Sequence, residues 1–142
     1  MRSYEERRTL ALMFLLFFAA AAGFSNYFGN EDIPILLDYP HDRERPLGWD
    51  YDALMYLLQR LEDTHGPFFA FVNASADHTP FVKLQPPFNQ YEHGSDTEGG
   101  YLNMLHYTDW AIGEFLQQFR KREDFDDTVF MITADHALAH HQ

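Results

Sequence analysis

A chain of 142 residues with 46% hydrophobic and 17% aromatic content suits one domain with a modest core and excludes a disordered tract. Its 22 acidic against 10 basic residues leave a formal net charge of −12, which repels phosphate backbones and excludes nucleic acid as a partner. Cysteine is absent, so disulfides, thiolate metal sites and a cysteine nucleophile are excluded too.

Residues 1–23 form an apolar N-terminal segment. The charged MRSYEERR precedes TLALMFLLFFAAAAG, and small residues follow. The layout is that of a secretory signal, but Glu5 and Glu6 weaken the basic start. Leu10–Gly23 is shorter than the ~20 residues of a spanning helix. Three readings stay open: an export signal or short anchor, a core helix, and a mis-assembled gene start. The first places the protein outside the cytoplasm or against a membrane.

From residue 24 on, the chain reads as one unit, 24–142. FSNYFGNEDIPILLDYPHDRERP is loop, with a short strand at Ile33–Leu37. WDYDALMYLLQRLEDTHGP is a helix. Asp50 or Asp52 can cap its start, Leu54, Leu57, Leu58 and Leu61 form one apolar face, and Gly66-Pro67 stops it. FFAFVN, Phe68–Asn73, is apolar almost throughout and suits a strand covered on both faces. A long loop rich in Pro and Gly follows, of the kind that is often functional.

TEGGYLNMLHYTDWAIGEFLQQFRKRED is a second helix. Tyr101, Leu105, Thr108, Ile112, Phe115 and Phe119 make a stripe to lay on a sheet, and Arg120, Lys121 and Arg122 favour the negative end of its dipole. TVFMIT, Thr128–Thr133, is a second apolar strand. Strand, crossover helix and strand make a right-handed parallel unit. The fold class is α/β, a partial parallel sheet with flanking helices.

In parallel α/β sheets, ligands sit outside the carboxyl ends of the strands. One strand ends in NASADH, placing Asp77 and His78 at its tip; the other ends in TADH, placing Asp135 and His136 there. Carboxylate oxygen with neutral imidazole is what a hard or borderline divalent cation takes. A single Asp-His after a strand is more commonly a turn, and two at matching tips make metal and turn evenly weighted. HALAH spaces His136 and His140 as in a zinc helix, but Ala137 stands where a metalloprotease needs Glu. His140 and His141 read as surface, Trp49 and Trp110 as core or rim. Asn73-Ala74-Ser75 reads as a chance sequon, and Tyr107 with Asp109 as helix surface or a loop support.

PFFAFVNASADHTPF followed by YLNMLHYTDWAIGEFLQQFRKREDFDDTVFMITADHA is similar to the sulfatase branch of the alkaline phosphatase superfamily, in the style of its lipoteichoic acid synthase and phosphoglycerol transferase group. GFSNYFGNEDIP and LGWDYDAL resemble the segment upstream. The resemblance implies that the sheet is part of an alkaline-phosphatase-like sandwich and that Asp135 and His136 bind a divalent metal such as manganese, magnesium, calcium or zinc. It implies too that His78 contacts the oxyanion of a phosphate or sulfate ester. No C-x-P-x-R or S-x-P-x-R motif carries the family's nucleophile, so the expectation is a piece of such an enzyme, weak or inactive alone. The competing expectations are a non-catalytic remnant and a small exported metal-binding or interaction module.

Overall fold

The computed structural model describes residues 21–29, 31–37 and 50–134. Two helices organise it: α1, Asp50–Leu61, and α2, Glu98–Phe119, followed by a 3-10 turn at Phe125–Asp127.

The α1 helix forms where the leucine spacing places it, with acids in its first turn and Arg60 in its last, both matched to the helix dipole. It ends at Leu61, before Gly66-Pro67. The Thr64 amide donates to Leu61 O (3.1 Å) and its hydroxyl to Arg60 O (3.2 Å), which closes the end. Gly66 then turns the chain at φ +97°, a left-handed conformation that glycine adopts without strain. Leu54, Leu57, Leu58 and Leu61 pack with Phe115 and Phe119 of α2, as their spacing predicts.

The α2 helix starts at the cap Thr97, whose hydroxyl accepts from the Gly100 amide at 3.2 Å. A Cβ at Gly99 or Gly100 would collide with the carbonyl oxygens of Glu92 or Gly94, so these glycines let the preceding loop lie against the first turn. The buried face is Met104, Tyr107, Ala111, Phe115 and Phe119. It is rotated by about one residue from the predicted stripe, leaving Tyr101, Leu105, Thr108 and Ile112 half-buried. The rotation follows from what α2 meets: α1 on one side and Phe81, Leu84 and Phe88 of the long loop on the other. Tyr107 is therefore a core residue and not a helix surface; it is fully buried, with Phe88 edge-on at 5.5 Å. Trp110 stacks on Tyr51 at 5.0 Å, in keeping with a rim aromatic.

Arg120, Lys121 and Arg122 lie beyond the last turn of α2. Arg122 serves the other helix. It donates to Leu61 O at the end of α1 (2.9 Å) and binds Asp124 through Nε and Nη2 at 2.8 and 2.7 Å.

Among the described residues no strand is formed. Phe68–Asn73 and Thr128–Thr133 carry no regular secondary structure, and among the described residues neither is covered on both faces. Phe68 packs on the cluster of Leu61, Phe115 and Phe119, and Phe130 lies 5.0 Å from the Phe119 ring. The side chains that alternate with them face outward: Phe69 is 79% exposed, Phe71 71%, Val129 90% and Met131 87%. Phe68 and Phe130 rest on the helices, while Ile132, two residues beyond Phe130, is itself 67% exposed and nothing described covers the outward side chains. Ile33–Leu37 forms no ladder either. Residues 1–20 and Trp49 lie outside the described residues. Among the described residues no helix is long and apolar enough to cross a membrane.

Candidate functional site

His78 closes a tight turn after the first extended segment, its amide donating to Ser75 O at 3.2 Å. The ring is exposed, with Nδ1 2.7 Å from the Thr79 carbonyl oxygen. A carbonyl can only accept, so Nδ1 carries the proton. Nε2 makes no hydrogen bond among the described residues. A cis peptide joins Thr79 to Pro80, and Phe81 then turns into the core, 3% exposed.

The turn is held from below by Asp50. Its Oδ1 accepts from the amides of Ser75 (2.9 Å) and Ala76 (3.1 Å), and its Oδ2 from the Thr108 hydroxyl at 2.5 Å. Asp50 is 1% exposed. Burial pushes its carboxyl above the ordinary value; the bonds from Thr108, Ser75 and Ala76 oppose this, and the charge of Asp77 adds to it. Asp52, 3% exposed, accepts at Oδ1 from the amides of Leu36 (2.9 Å) and Leu37 (3.2 Å). Both acids thus reach across to other segments, where the sequence suggested caps for their own helix. In a sequence a first-turn acid looks the same in either role.

A third buried polar residue, Asn103, arranges the long loop. Its Oδ1 accepts from the amides of Gln90 and Tyr91, both at 2.9 Å, while Nδ2 donates to Tyr91 O (3.0 Å) and Asn89 Oδ1 (3.2 Å). All four hydrogen-bonding positions of the amide are used. The available signal was an Asn one helical turn before Tyr107 on an apolar face. A groove of about 560 Å³ lies beside this loop, lined by Tyr91, Glu92, His93, Thr97, Glu98, Gly99 and Leu102. Neither His78 nor Asp50 borders it.

Asp135, His136, His140 and His141 lie outside the described residues, and the chain is extended and exposed up to Ala134. Among the described residues no group of three His, Cys, Asp or Glu could hold a metal ion. Asn73, at the sequon, is exposed at the end of a segment that is itself exposed.

The model of the sulfatase family, described as Sulfatase, matches residues 10–142. The chain belongs to the sulfatase family. The fold of that family is alkaline-phosphatase-like α/β. Among curated proteins, a lipoteichoic acid synthase of Staphylococcus saprophyticus is 32% identical over 73 residues, covering 49% of this chain and 11% of the relative. Lipoteichoic acid synthases of Staphylococcus aureus, strains USA300 and NCTC 8325, are 28% identical over 72 residues, again 49% of this chain and 11% of theirs. The chain thus aligns with about a tenth of the length of these curated relatives. No solved structure matches it significantly.

Proposed function

We propose that this sulfatase-family chain contributes to a metal-dependent catalytic centre acting on phosphate or sulfate esters, in the manner of a phosphoglycerol transferase or ester hydrolase. The observation that carries the reading is the family match over residues 10–142, which spans both the turn with His78 and the closing Asp135-His136. His78 contacts the ester oxyanion through Nε2 as an imidazolium, because Nδ1 is engaged by Thr79 O. Asp135 and His136 supply one carboxylate and one imidazole to a divalent cation. That donor pair fits manganese, magnesium, calcium or zinc by its oxygen and nitrogen chemistry, with further ligands needed from elsewhere. When bound, such a cation polarises the ester oxygen and offsets charge.

Residues 24–142 form the partial catalytic unit, and 1–23 either an export signal or short anchor, which would place the protein outside the cytoplasm or at a membrane, or a core helix. Phe68–Asn73 and Thr128–Thr133 are parallel strands of its sheet. The bare apolar faces of Phe69, Phe71, Val129 and Met131 support this, since a strand apolar on both sides is built to be covered on both. The second reading is a non-catalytic remnant or a small exported metal-binding or interaction module.

Manganese titration by calorimetry tests the metal site: binding that disappears in the Asp135→Ala, His136→Ala double variant supports it, and binding unchanged in that variant refutes it. Release of nitrophenol from nitrophenyl phosphate or sulfate separates the enzyme from the module.

A further inference from the structure

We propose that Asp50 is the positioning residue for His78; the inference rests on the oxyanion role given to His78 above. Ser75 and Ala76, the residues whose amides Asp50 holds, precede His78 by three and two positions. The His78 amide in turn donates to Ser75 O, so one hydrogen-bonded turn joins the anchored residue to the imidazole. The carboxylate also takes the Thr108 hydroxyl, and thereby ties the first turn of α1, the middle of α2 and the His78 turn at a single group.

Burying a carboxylate is costly unless it is fully hydrogen-bonded, and a short apolar side chain would fill the same space at less cost. What Asp50 adds is one side-chain oxygen that accepts from two adjacent backbone amides at once. Asp77 lies between the anchor and His78, close enough for its charge to bear on Asp50. The turn that carries the anion-binding ring is thus pinned through its backbone, and the ring itself stays exposed to meet a ligand.

The test uses the full 142-residue chain with labelled histidine rings and backbone amides, with inorganic phosphate as the probe. Four proteins are compared: wild type, Asp50→Asn, Asp50→Ala and Thr108→Val. Asp50→Ala is expected to speed amide exchange at Ser75 and Ala76 on the order of tenfold or more. It also moves the His78 ring resonances and weakens their response to phosphate, while the amides of Phe115 and Phe119 stay protected. Asp50→Asn rescues most of this, because its amide oxygen still accepts from both backbone N–H groups. Thr108→Val falls between.

A folded Asp50→Ala protein with wild-type exchange at Ser75 and Ala76 and unmoved His78 resonances overturns the proposal. So does a lower melting temperature with the ring signals unmoved, since that is what a purely structural anchor gives. If Asp50→Ala does not fold, Thr108→Val decides by the same two readouts. A wild type whose His78 ring ignores phosphate overturns the oxyanion role, and the anchor is then judged on exchange and ring resonances alone.

Discussion

The two halves of this sulfatase-family chain solve burial in opposite ways. Around Asp50, Asp52 and Asn103, polar groups are taken fully inside and given partners, so that loops far apart in sequence are fixed to the two helices. Along Phe68–Asn73 and Thr128–Thr133, large apolar side chains stand in solvent while their alternate neighbours rest on Phe115 and Phe119. The first region is complete in itself, because helices satisfy their own backbone and need only side-chain partners. Among the described residues the second forms no strand, and its outward apolar side chains have no described cover.

The largest expected effect is in the self-sufficient half. Phe119→Ala removes a ring 1% exposed that holds α1, α2 and Phe130 together. It should cost about 3–5 kcal/mol by denaturant unfolding. Asn103→Ala leaves the Gln90 and Tyr91 amides without their acceptor. A loss of roughly 2–4 kcal/mol is expected, with faster amide exchange confined to those residues and their neighbours.

The pH dependence sharpens the contrast between a buried and a surface carboxylate. Burial raises Asp50 above its ordinary 3.8, so the stability linked to this group is fully present below that value and is lost as pH rises through the folded one. The hydrogen bonds from Arg122 lower Asp124, so its contribution is present above 3.8 and is lost as pH falls through its folded value. Asp50→Asn should flatten the loss on raising pH, and Asp124→Asn the loss on acidification, each read from melting temperature against pH.

The smallest effect belongs to the open half. Phe71→Ser and Met131→Ser, at positions 71% and 87% exposed, should change the stability of this chain by no more than about 0.5 kcal/mol. A cost of 2 kcal/mol or more, on the order of a buried side chain, would mean that these faces are covered in solution.

The helices were legible because their signal is local. Leucines at helical spacing placed α1, and the repeat from Tyr101 to Phe119 placed α2. The facing of α2 was less so: Thr108 fell on the predicted apolar stripe, yet its hydroxyl meets Asp50, while Asn103 and Tyr107 went inside. Which side of an amphipathic helix is buried depends on its neighbours, and here those include a Pro-rich loop with no periodic pattern. Of the candidate site, His78 was identified as the tip of a strand; no strand is formed there among the described residues, and the structure places His78 on a hydrogen-bonded turn. The support beneath it was not legible, because Asp50 and Ser75 are 25 residues apart.

Composition and short-range pattern by themselves determined the two helices, the apolar character of both extended segments, and a family resemblance written in runs of adjacent residues. Tertiary structure alone decided that Asp50 and Asp52 are internal anchors, that Asn103 holds a loop, and that Arg122 closes the end of the other helix. The physical reason is that a carboxylate, an amide or a guanidinium has no fixed role until its environment sets the cost of desolvation and supplies the partners, and that environment is assembled from residues the linear pattern keeps apart.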